Sequence, residues 1–175
     1  MDRPFVIITN QRTGGSNFTR MLNKLSSFDT PGQQEPFNKH RIYGHLEVNL
    51  RNGMPIEKLF CDMRKIISKQ ENIKHCFEIL SKEITMALIK ASAEKNYVHI
   101  FLYRERVISR MLSVEYARRT GIWGPKRAKS KKPTSDTFDI PLDVEKMINV
   151  ESEIIHMFNR IWKLCEIISE IQPIA

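Results

Sequence analysis

Cysteine is scarce in this chain. The three present, Cys61, Cys76 and Cys165, are far apart and odd in number. That excludes a disulfide framework and a zinc ribbon, and a reducing cytoplasm is the expected compartment. Long hydrophobic runs are also missing. The opening MDRPFVIIT is too short for a signal peptide, and no stretch is apolar for long enough to span a bilayer. No cluster of His, Cys and Asp has metal-ligand spacing, so no metal is expected. Acidic residues are outnumbered, 20 against 28 lysines and arginines, for a net charge of +8. That balance favours an anionic partner: a nucleotide, a sulfated or phosphorylated ligand, nucleic acid or an acidic surface. What remains is 175 residues, 41% of them hydrophobic, with no internal repeat. This suits one globular domain, residues 1–175, with a real core.

Hydrophobic patterning divides the chain into alternating strands and helices. Phe5–Thr9, FVIIT, reads as a buried strand of a parallel sheet. A helix is expected from Ser16 to Ser26, with Phe18, Met21, Leu22 and Leu25 along one face. Residues 28–54, punctuated by Pro31, Gly32, Pro36, Gly44 and Gly53, read as irregular. Helices are expected over Ile56–Ser68, with Leu59, Phe60, Met63, Ile66 and Ile67 inward, and over Lys82–Lys95. His75–Leu80 reads as a short strand and Tyr97–Tyr103 as a clearer one. A helix is expected from Val107 to Arg119 and a loop over residues 123–138. A last long helix, 142–171, carries Val144, Met147, Ile148, Ile154, Ile155, Phe158, Ile161, Trp162, Cys165 and Ile168 as one core stripe. The alternation implies an α/β fold around a parallel sheet.

The stretch after the first strand, TNQRTGGSNF, carries the first chemical signal. A strand, a glycine-rich loop and a helix start form an anion-binding geometry, because the first turn of a helix offers unpaired N–H groups and partial positive charge. Gly14 and Gly15 allow close approach of the backbone. Thr13, Ser16 and Asn17 add polar side chains, and Arg12 a planar permanent charge. The nucleoside-triphosphate pattern G-x-x-x-x-G-K-[ST] is absent, with no lysine after the glycines and no hydroxyl placed for magnesium. That disfavours a kinase or ATPase. A plain strand-to-helix turn with two flexible glycines reads the loop equally well.

The second signal is IFLYRERVISRMLSVEYARRTGIW, residues 100–123. Arg104 follows the carboxyl end of an expected strand and Ser113 lies on the next helix. Ligands of open parallel sheets bind at the carboxyl ends of strands. The two signals are therefore expected on one sheet edge, where they could hold two phosphates of one ligand. Here the chain resembles the sulfotransferases that use 3′-phosphoadenosine 5′-phosphosulfate (PAPS), in particular the bacterial group of trehalose and nodulation-factor sulfotransferases. That group's first loop is of the type T-x-R-S-G-S-T. Thr9-Asn10-Gln11-Arg12-Thr13-Gly14-Gly15-Ser16 is similar to it, with Gly15 and Asn17 standing where hydroxyl residues are usual.

The resemblance runs from Phe5 to about Trp162 and implies a P-loop-like central parallel sheet flanked by helices. It implies that Arg12, Thr13, Gly14, Gly15, Ser16 and Asn17 hold the 5′-phosphosulfate, and Arg104 with Ser113 the 3′-phosphate. QQEPFN resembles a Glu-Pro segment of the group that supplies the catalytic base, here Glu35; His40 and His45 are the runners-up. SVEYARRTGIW resembles a helix ending in a Thr-Gly-x-Trp turn. The implied reaction moves a sulfuryl group from PAPS to a hydroxyl of a carbohydrate or small molecule, without a metal. By the same comparison the C-terminus is short for the group.

Other features read more plainly. His99 is expected to be structural. Trp123 either lines an acceptor pocket or anchors the loop after it. Lys126, Arg127, Lys129, Lys131 and Lys132 read as a solvated basic loop or as a lid over an anionic acceptor. The rival functional readings are a basic nucleic-acid-binding module, which lacks a reading motif, and a divergent nucleotide kinase.

Overall fold

The computed structural model describes residues 2–31, 34–123 and 141–171. The basic residues 126–132, and the whole expected loop 124–138, lie outside these. Three strands, β1 (Phe5–Thr9), β2 (Ile73–Cys76) and β3 (Val98–Leu102), alternate with six helices: α1 (Gly15–Asn23), α2 (His45–Arg51), α3 (Ile56–Ile67), α4 (Lys82–Glu94), α5 (Val107–Thr120) and α6 (Val144–Ile171). The protein is therefore α/β, with a parallel three-stranded sheet in the order β2-β1-β3. None of the described helices is long and apolar enough to cross a membrane.

The chain forms two compact units, Met1–Tyr103 with Phe158–Ala175, and Arg104–Met157. In the first, β1 is central because its five residues are all buried, as a strand covered on both faces requires. Thr9 stands level with Cys76 on one side and Leu102 on the other, so all three strands end along one edge. Asn72 sets the register just before β2. Its Oδ1 accepts from Phe5 N at 3.2 Å, and its Nδ2 donates to Ser26 Oγ at 3.0 Å and the Phe28 carbonyl at 2.8 Å. α3 buries Leu59, Met63, Ile66 and Ile67 and packs along α4. Phe101 of β3 meets Phe158 edge-on at 5.6 Å and Trp162 at 4.8 Å, seating the last turns of α6.

Four expectations need correction. β2 begins two residues before the expected His75 and gives way to a 3-10 turn at Phe77–Ile79. A helix, α2, lies within the stretch read as irregular. Its buried Glu47 accepts from Ser81 N at 3.0 Å and Ser81 Oγ at 2.8 Å, which ties α2 to the residue preceding α4. Burial pushes the Glu47 carboxyl up, but the Ser81 hydrogen bonds and Arg51 outweigh it and hold it below the usual carboxylate range. α1 buries Gly15 and Thr19, while Met21 is exposed, as is Leu25 just beyond the helix. Small residues let this helix approach the sheet closely, and Phe18 and Leu22 are only half-buried. On α6, Ile161 and Cys165 are core, but Val144, Ile148, Ile155 and Trp162 are exposed.

In the second unit α5 buries Arg110, Val114 and Ala117. Arg110 pairs with Glu151 of α6, both buried. Arg119 is held to Glu115 at 2.8 Å and to the Pro141 carbonyl at 3.0 Å.

Candidate functional site

The loop from β1 to α1 is closed by hydroxyls. Thr9 Oγ1 donates to the Leu102 carbonyl at 2.9 Å and lies 2.6 Å from Thr13 Oγ1, which is 3.0 Å from the Asn10 carbonyl. The Thr13 hydroxyl is thus engaged inside the loop. Gln11 N donates to Glu78 Oε1 at 2.7 Å and ties the loop to the turn after β2. Arg12 is held at φ 62° and Gly14 at φ 86°. A left-handed arginine is uncommon, and such residues gather at functional sites. Gly14 precedes α1 with no side chain capping the helix, so Gly15 and Ser16 open its first turn.

Gly15 lies close against Lys74. A Cβ there would stand 2.8 Å from Lys74 Cε and 3.3 Å from Thr9 Cγ2. Lys74 is the residue the sequence reading missed. It lies on β2, 8% exposed in its side chain, and brings its ammonium to the start of α1. Its Nζ donates to Ser16 Oγ at 3.2 Å and is ion-paired with Glu35. No lysine lies within the loop itself, and this one reaches its end from the neighbouring strand.

Glu35 is positioned by the residues that follow it. Phe37 is buried, with its ring 5.7 Å from that of Tyr43 and edge-on to His75 at 6.1 Å. Tyr43 N donates to the Pro36 carbonyl at 2.8 Å, and Asn38 Nδ2 donates to Glu35 Oε2 at 2.7 Å. Gln34 Nε2 donates to the Ser16 carbonyl at 3.1 Å, joining this segment directly to α1. Gly14, Gly15, Ser16, Lys74, Glu35 and Asn38 therefore form one cluster, although they come from three separate stretches of chain.

Asn17 is exposed, 3.4 Å from Arg20 Nη1. His40 and His45 are exposed, His45 as the first residue of α2. His75 is buried with Nε2 2.8 Å from Thr85 Oγ1, and its Nδ1 has no partner among the described residues. Burial pushes its pKa down to about 4, against an opposing pull from Glu35. His99 lies 2.7 Å from Ser92 Oγ and is pushed by burial to about 4. Both are neutral structural imidazoles at pH 7. Arg104 is the exposed first residue of the second unit, and Ser113 is half-buried on α5. Trp123 is exposed. Among the described residues no three His, Cys, Asp or Glu side chains gather as a metal site.

Compared with protein-family models, curated proteins and solved structures, the chain matched none.

Proposed function

We propose that this protein is a PAPS-dependent sulfotransferase acting on a hydroxyl acceptor, a carbohydrate or small molecule. The observation that carries the proposal is the buried Lys74 ammonium at the glycine-lined start of α1, ion-paired with the one carboxylate that the sequence resemblance singles out as a base. A cation buried there, beside the unpaired N–H groups of a helix, suits a phosphate. Arg12 and Ser16 extend the same surface. PAPS, when bound, supplies an activated sulfuryl group on its 5′-phosphate.

Glu35 takes the proton of the acceptor hydroxyl as the acceptor oxygen bonds to sulfur. The sulfur–oxygen bond to the 5′-phosphate breaks, and its electron pair leaves on that phosphate. Lys74, Arg12 and the first N–H groups of α1 stabilise the charge that collects there. The products are the sulfate ester and adenosine 3′,5′-bisphosphate (PAP). The sequence resemblance assigns the 3′-phosphate to Arg104 and Ser113.

Calorimetric titration with PAP in magnesium-free buffer tests the proposal. The wild type is expected to bind. Arg12→Ala and Arg104→Ala should each weaken binding by about 1.5–3 kcal/mol, the size of a lost charge-assisted contact. A folded wild type that ignores PAP and takes up magnesium-ATP instead would replace this reading with a kinase. Tight polynucleotide binding with a steep salt slope would replace it with a nucleic-acid module.

A further inference from the structure

Lys74 has one charge and two uses for it. Its ammonium carries three N–H donors. Ser16 Oγ and the Glu35 carboxylate take two of them. Its partner Glu35 is 26% exposed in its side chain, and the lysine only 8%. A cation this deep requires an anionic partner in every state of the protein. Glu35 fills that role here, and Asn38 Nδ2 holds its other oxygen. Both oxygens of this carboxylate are therefore engaged, one by the Lys74 ammonium and the other by the Asn38 amide. The same ammonium stands where a phosphate would reach the start of α1.

We infer that Lys74 exchanges partners. It is paired with Glu35 while the anion loop is empty and with the donor's 5′-phosphate when the loop is filled, so the base becomes available to an acceptor hydroxyl only after the sulfuryl donor is in place. The inference rests on the sulfotransferase reading. It adds an order to it, donor first, set by one side chain.

The exchange makes a claim about binding that needs no turnover assay. Glu35 and the ligand phosphate compete for Lys74, so removing the Glu35 charge should tighten PAP binding through Lys74. The test is a double-mutant cycle on PAP affinity, with Glu35→Gln and Lys74→Met, alone and together. Glu35→Gln is expected to tighten PAP binding about tenfold when Lys74 is present and less than about twofold when it is methionine, a coupling of the size found for contacting charges. Lys74→Met alone should weaken binding.

A gain from Glu35→Gln that is equal in both backgrounds would overturn the exchange, since it reports only repulsion between Glu35 and the ligand. No gain in either would overturn it too. If Glu35→Gln does not fold, Glu35→Asp draws the carboxylate back from Lys74 by one methylene. It should give the same pattern, read as a larger rise of Tm on adding PAP than the wild type shows. A folded wild type with no affinity for PAP defeats the sulfotransferase reading itself, and the exchange with it. Additive substitutions on a binding protein defeat the exchange alone.

Discussion

At the scale of single residues the site depends on one absent methyl group. Gly15 lets Lys74 pass under the first turn of α1, where a Cβ would stand 2.8 Å from Lys74 Cε. Gly15→Ala therefore has a selective effect. The methyl displaces the end of a flexible side chain rather than backbone, and alanine favours the helix. Affinity for PAP is expected to fall at least about tenfold, 1.4 kcal/mol. Tm should stay within roughly 4 °C of the wild type, the shift that about 1 kcal/mol produces in a chain of this size. Calorimetry beside a thermal melt separates the two. The glycines and Arg12 were legible because loop chemistry leaves a local pattern. Lys74 was not. A lysine in a short stretch, IKHC, reads as a solvent-facing residue, and only Glu35, distant in sequence, makes its burial tolerable.

At the scale of elements, polar pairs decide what hydrophobic pattern could not. In the second unit the Arg110–Glu151 pair joins α5 to α6 away from solvent. Glu151→Ala takes the carboxylate from a buried guanidinium and should cost about 3–5 kcal/mol in a urea melt. Replacing both residues with methionine should recover much of that, since apolar packing substitutes well for a buried ion pair. The same physics explains where reading by periodicity stopped. β1, α3 and α4 were legible because Val, Ile and Leu there are buried as expected, and β3 because its apolar run survives although its five residues are only half-buried. β2 was placed two residues late because Lys74, polar by type, is buried against Glu35. α2 was passed over because it is seven residues long and buries only Leu46 and Glu47, a weak apolar face. The stripe on α6 was read as core along its whole length. Its middle buries Glu151 instead, and apolar Ile148 and Ile155 face solvent.

At the scale of the whole molecule, the two flanking strands each carry a neutral histidine, His75 on β2 and His99 on β3. Both have pKa values lowered by burial from 6.5 to about 4. The unfolded chain therefore binds protons at these sites before the folded one does. Their contribution to stability is complete above pH 6.5 and is lost as the pH falls toward 4, by up to about 1.4 kcal/mol per pH unit for each. Glu47, its carboxyl held below the usual carboxylate range, adds its own loss only in more acidic solution. Tm should thus decline across pH 6.5–4.5, and the double variant His75→Gln/His99→Gln should decline less over that window. The sheet that holds these histidines also sets an order of assembly. Its middle strand is the first segment of the chain, and its partners begin at Ile73 and Val98. Parallel neighbours cannot be joined by a tight turn, so each pairing must close a long stretch of chain. During synthesis the glycine loop and Glu35 are made before Lys74, and the three strands cannot all pair until Leu102 follows. The loop and its buried cation are thus written far apart in the chain and are brought together only once later strands have paired.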